Sequence, residues 1–160
     1  MKIILIVFIL LINIQGLKAQ QFSVEMKDNT EVLNQENCYR ITNDSLIITA
    51  RSDYGRTIVN YLERSLSKKE AKQFSKFIRS FPADSLATNY FNEYTNLKFI
   101  DAEHSPKVLE VKIFKDGITY NSKATNAYVR LYSRLIGAIN ILVPQEIRIK
   151  LDPANFNAFY

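Results

Sequence analysis

In two places only does the chain repeat its apolar residues at helical spacing; elsewhere it alternates them at every second position in short runs. A layer of strands covered by two helices is the architecture that this pattern demands. The expected fold is α+β, a mainly antiparallel sheet of roughly six to eight strands with two principal helices packed on it.

Phe22–Met26 reads as a strand, as do Cys38–Ile41 and Leu46–Ala50, the last two joined at the turn-forming pair Asn43-Asp44. Thr57–Leu62 alternates as well, although neither face is clearly polar. The first helix is announced by Ser67 and Glu70, three residues apart as a capping box requires. Ala71, Phe74, Phe77, Ile78 and Phe81 follow at helical spacing, and Pro82 stops the helix. A short helical turn is expected over Asp84–Asn89. Asn96–Ala102 and Val108–Phe114 read as strands, with a bend at His104-Ser105-Pro106. Asp116-Gly117 marks a hairpin into Ile118–Asn121, because Gly tolerates the positive φ that such a turn needs. The second helix is expected over Asn126–Leu142, capped by Asn126 or Thr125 and ended by Pro144. Glu146–Leu151 alternates as a half-exposed edge strand.

The start of the chain reads as a targeting segment. Lys2 supplies a positive charge, Ile3–Ile12 is an unbroken apolar run, and Ala19 is the small residue at the expected cleavage edge. Such a run is too short for a membrane-crossing helix, which needs about 20 apolar residues. Residues 1–19 are therefore expected to be a signal peptide and 20–160 a single domain, exported to the periplasm or the medium, with no membrane span after cleavage. Losing Lys2 and Lys18 lowers the formal charge from +5 to +3. So mild an excess argues against nucleic acid as a partner. The one cysteine, Cys38, forms no internal disulfide, so the hydrophobic core must hold the fold.

Asp116-Gly117, Asn126-Ala127-Tyr128 and Ile139-Asn140 with Pro144 resemble the C-terminal part of small exported bacterial proteins of uncharacterised function. The resemblance covers about a quarter of the chain. It implies export and a compact α+β fold, and it carries over no catalytic residue.

The chemistry is sparse. A Ser-His-Asp triad would need His104, the only histidine, and no Gly-x-Ser-x-Gly elbow is present. The glycines are too few and too scattered for a phosphate-cradling loop. Cys38 reads as a buried, inert thiol. One metal-like set, Asp101, Glu103 and His104, would need the bend at Ser105-Pro106 to converge; a polar, solvated loop between strands is the favoured reading. No catalytic residue and no cofactor is assigned.

Two cationic patterns suit a partner. Lys69, Lys72, Lys76 and Arg79 form a basic stripe beside the aromatic face of the first helix, and Arg130 and Arg134 lie one turn apart on the second. Either could dock a protein or an anionic envelope component, and either could be an ordinary solvated face. The aromatics Tyr90, Phe91, Tyr94 and Phe99 and the C-terminal 155–160 segment are further contact candidates. The reading favoured is an exported, non-catalytic binding or accessory module. Its alternatives are a small hydrolase using carboxylates or His104, and an inhibitor that offers an edge strand.

Overall fold

The computed structural model describes residues 21–30, 35–52, 57–91, 107–151 and 158–160. Seven strands form one sheet: β1 (Phe22–Thr30), β2 (Gln35–Thr42), β3 (Ser45–Ser52), β4 (Thr57–Ser65), β5 (Asn89–Phe91), β6 (Lys107–Lys115) and β7 (Ile118–Thr125). Their order is β4-β3-β2-β1-β6-β7-β5, antiparallel throughout except for the parallel pair β5 and β7. The expected α+β class is what the structure has.

One face of this sheet is apolar. Val24 and Met26 of β1, Tyr39 and Ile41 of β2, Leu46 and Ile48 of β3, and Leu109, Val111 and Ile113 of β6 are all buried there. Two helices cover it: α1 (Lys68–Ser80), which buries Phe74 and Ile78, and α2 (Arg130–Leu142), which buries Tyr132, Leu135, Ile136, Ile139 and Leu142. The opposite face carries ion pairs instead, Arg40 with Glu25 at 2.7 Å and Lys123 with Glu110 at 3.5 Å. Alternation along β1, β2, β3 and β6 thus sorts apolar from charged side chains onto two faces.

The chain leaves the sheet at one edge, β4, crosses its apolar face as α1, and re-enters at the other edge as β5. Both ends of α1 are closed by side chains. Ser67 and Glu70 complete the capping box, with Glu70 N–H donating to Ser67 Oγ at 3.3 Å and Ser67 N–H donating to Glu70 Oε2 at 2.8 Å. At the far end Lys115 Nζ donates to the carbonyls of Arg79 and Phe81, at 2.7 and 3.1 Å, where the helix dipole favours a cation. A run of rings, Phe22, Phe74, Phe77 and Phe81, with successive centroids 5.5–6.1 Å apart, seals α1 to the sheet.

Several expectations hold. The Asp116-Gly117 hairpin joins β6 to β7 with φ of 55° and 80°, the left-handed pair that a two-residue turn requires. The turn expected over Asp84–Asn89 is a 3₁₀ turn at Ala83–Ser85, and Asn89 already belongs to β5.

Others are corrected. The unclear alternation in β4 comes from a bulge: Leu62 pairs with Ile48 and Asn60 with Thr49, leaving Tyr61 as the extra residue. The sides of β4 therefore exchange at Tyr61, and no single alternation describes the strand.

The second helix begins at Arg130, not Asn126, and neither Asn126 nor Thr125 caps it. Asn126 has φ of 51°; its Oδ1 accepts the Lys107 N–H at 2.8 Å, and its own N–H donates to the Lys107 carbonyl at 3.0 Å. Held in this bend, Asn126 cannot start a helix. Ala127–Tyr128 (β8) instead pairs in parallel with Ala158–Phe159 (β9). Arg130 N–H then donates to the Tyr160 carbonyl at 2.8 Å, so the C-terminus does what a capping side chain would have done.

Glu146–Leu151 is not a strand. Gln145–Ile147 forms a 3₁₀ turn, and the residues after it run irregularly with their backbone bonded to side chains. Asn140 Nδ2 donates to the Ile149 carbonyl at 2.9 Å, and Asn140 Oδ1 accepts the Ile149 N–H at 3.0 Å. The alternation survives because Ile149 is buried against the core while Arg148 and Lys150 face out. The strand expected at Asn96–Ala102 and the signal segment lie outside the described residues.

Candidate functional site

The two helices share one outward side. On α1 the exposed residues are Lys68, Lys69, Lys72, Gln73, Lys76, Arg79 and Ser80; on α2 they are Arg130, Arg134, Gly137 and Ile141. Every charged residue among them is a cation. Glu70, the only acid within either helix, is turned aside and gripped by Arg64 at 2.8 Å. Glu70 is thereby held well below the usual carboxylate range, at about 2, chiefly by the Arg64 hydrogen bonds and then by those from Ser67.

The structure thus puts Lys69, Lys72, Lys76 and Arg79 on one exposed row, and brings Arg130 and Arg134 onto the same helical layer. Among the described residues none of these six forms an ion pair; Arg79 makes only a long contact to Ser75 Oγ at 3.4 Å. Four carboxylates of the sheet are engaged elsewhere: Glu25 by Arg40, Glu36 by Lys27, Glu110 by Lys123 and Asp28 by Lys107. The helices bury an apolar stripe and turn their long cationic side chains to solvent, the usual outcome for an amphipathic helix. What is unusual is that neither helix exposes an acid; the exposed acids nearest the row among the described residues, Asp84 and Asp116, lie past the end of α1 and in the β6–β7 hairpin.

Asp101, Glu103 and His104 lie outside the described residues. Among the described residues no group of three or more His, Cys, Asp or Glu is placed to hold a metal. Cys38 stands on the charged face of the sheet, half-buried between Lys27 and Thr49 of the neighbouring strands. Burial first, and the Glu25 carboxylate second, push its thiol above the ordinary value. The thiolate, which is the reactive form, is thereby disfavoured, although the side chain is half-buried and not buried as expected.

Of the aromatic candidates, Tyr90 meets Tyr132 edge-on at 6.1 Å and Tyr160 at 5.2 Å, while Phe91 is exposed on β5. Tyr160 Oη donates to the Phe91 carbonyl at 3.1 Å. Tyr160 is thus held against β5 while its ring stays half exposed, and residues 155–157 of the expected contact segment lie outside the described residues. Tyr94 and Phe99 lie outside the described residues.

One feature escapes the sequence. A groove of about 360 Å³ lies where the apolar face of the sheet runs out beyond α2. Asp28, Tyr39, Arg51, Tyr61, Lys107 and Arg148 line it, drawn from five strands and the segment after α2. No local spacing could have announced it. Tyr39 Oη donates across it to the Ile147 carbonyl at 2.9 Å, and Lys107 Nζ bridges Asp28 and the Lys150 carbonyl at 3.2 and 2.8 Å. These bonds bind the segment after α2 to the sheet.

Among the described residues no helix is long and apolar enough to cross a membrane. Compared with family models, with curated proteins and with solved structures, the chain matches none.

Proposed function

We propose that this chain is an exported, non-catalytic binding or accessory module that docks an anionic envelope component through the outward side of its helices. The observation that carries this reading is the row Lys69, Lys72, Lys76 and Arg79, joined on the same layer by Arg130 and Arg134, with no acid among the exposed residues of the two helices themselves. Exposed charges like these add little to stability but sum their fields in attracting a charged partner. The capping box, the Phe22–Phe81 ring series and the Lys115 bonds hold the row on a rigid support. Export rests on the charged start and the short apolar run of residues 1–19; N-terminal sequencing of the exported protein should begin at Gln20.

Binding to a soluble polyanion, dextran sulfate, tests the docking surface. The variant with Lys69, Lys72, Lys76 and Arg79 all replaced by Gln should lose binding and keep its melting temperature. A variant of the charged sheet face, Lys112→Gln with Lys123→Gln, should bind as wild type does. Equal binding by all three proteins contradicts the reading.

A second reading is favoured by one observation. β4 is a nine-residue edge strand without Pro or Lys, although its bulge at Tyr61 breaks the free edge into two shorter stretches. An extended peptide could add to it, as an inhibitor's target would.

A further inference from the structure

Two large apolar side chains stand exposed on the cationic side of the molecule. Ile141 is 76 % exposed on α2, and Ile118 is 54 % exposed at the β6–β7 hairpin. Their positions relative to the basic row follow from the hydrogen bonds. Arg64 joins the Leu142 carbonyl to Glu70, which places the end of α2 that carries Ile141 beside the start of α1. Lys115, which pairs with Ile118 across the hairpin, donates to the carbonyls of Arg79 and Phe81 at the other end of α1. Ile118 shares the sheet face of Lys115, which is the helix side. A row of lysines and an arginine is thus bracketed by an isoleucine at each end.

That arrangement suits one kind of surface. A protein partner buries a contiguous apolar core within a polar rim. Two isoleucines at opposite ends of a 13-residue helix, about 20 Å apart along its axis, make no such core. Each can sink separately into a fluid interface while the lysines between them meet phosphate head groups. Near an anionic bilayer each Lys or Arg strengthens binding by about fivefold, and inserted apolar side chains add to it.

We propose that the helix side of this protein lies against the surface of an anionic phospholipid bilayer, held by Lys69, Lys72, Lys76 and Arg79 and anchored at the two ends by Ile118 and Ile141. The proposal rests on the docking reading above and names its partner. The association is peripheral: the cations stay at head-group level and only the isoleucine side chains enter the acyl boundary.

The test is co-sedimentation of the exported, processed protein with vesicles of phosphatidylglycerol and phosphatidylcholine, beside vesicles of phosphatidylcholine alone. Wild type should sediment with the anionic vesicles only, and release as salt rises. Replacing Lys69, Lys72, Lys76 and Arg79 by Gln should weaken binding on the order of a hundredfold or more at low salt. Ile118→Ser with Ile141→Ser should weaken vesicle binding severalfold and leave dextran sulfate binding unchanged. All six substituted positions are exposed, so melting temperatures should match wild type. Equal sedimentation with neutral vesicles, or full vesicle binding by the isoleucine variant, overturns the proposal. Binding to dextran sulfate without binding to any vesicle overturns the bilayer and leaves the anionic docking surface standing; binding to neither overturns both.

Discussion

Arg64 holds Glu70 with both terminal nitrogens, Nη1 to Oε2 at 3.1 Å and Nη2 to Oε1 at 2.8 Å, and Nη2 also donates to the Leu142 carbonyl at 2.9 Å. One guanidinium therefore ties β4 to the first turn of α1 and to the last turn of α2. Glu70 is at the same time the acid of the capping box, so the cap and the junction of three elements share a single carboxylate.

Replacing Arg64 by Ala should destabilise the fold by about 1–3 kcal/mol, the range for charge-assisted hydrogen bonds, with solvent screening favouring the lower end. The acid limb carries a sharper signature. Glu70 has a folded value of about 2 against an ordinary 4.5, so its contribution is present above pH 4.5 and is lost as pH falls towards 2. In Glu70→Gln the fall in stability across that window should be shallower. Urea unfolding of both proteins at stepped pH measures it; parallel acid limbs would contradict the assigned role.

Ser122 is the one buried polar residue of the described core, and it joins two groups. Its hydroxyl donates to the Ala87 carbonyl and accepts from Tyr132 Oη at 2.8 Å. Ser122→Ala strands both partners and should cost about 2 kcal/mol or more, whereas Tyr132→Phe removes one donor cleanly and should cost about 1 kcal/mol. The double variant should be less destabilised than the sum. Denaturant melts of the three variants decide this, and strict additivity would count against a shared network.

Tyr39 sets an alkaline limit. Burial, with the Asp28 charge second, pushes its phenol up to about 12 from the ordinary 10. A group raised on folding stabilises fully below its unfolded value and loses that contribution as pH rises through the folded one, here between pH 10 and 12. Tyr39→Phe should lose about 1 kcal/mol at neutral pH, through the unpaired Ile147 carbonyl, and should lose less than wild type from pH 10 upward. Thermal melts across that range are the check.

What was legible in the chain was local. Ser67 and Glu70 sit at a spacing that has one common structural use, and Asp116-Gly117 names its own turn; both are found as expected. The cations of α1 were equally visible, because a helical period converts spacing into a face. What was hidden depends on partners far along the chain. Asn126 looks like a helix cap until Lys107 takes both its amide N–H and its side-chain oxygen. Glu146–Leu151 looks like a strand until Asn140 supplies the hydrogen bonds that a neighbouring strand would have given. The β4 pattern is blurred by one bulged residue, Tyr61. The groove around Tyr39 and Lys107 collects residues from five strands and has no signature in any one of them.

The central claim, that the helix side is an electrostatic docking surface, is tested most directly by the salt dependence of dextran sulfate binding. Wild type and the variant with Gln at 69, 72, 76 and 79 would be titrated from about 0.1 M to about 1 M salt, over which the Debye length falls from about 10 Å to about 3 Å. Wild-type affinity should fall steeply across that range, while the variant should bind weakly at every salt and change little. Identical affinities and slopes for the two proteins would contradict the claim and leave Lys69, Lys72, Lys76 and Arg79 as a solvated helix face.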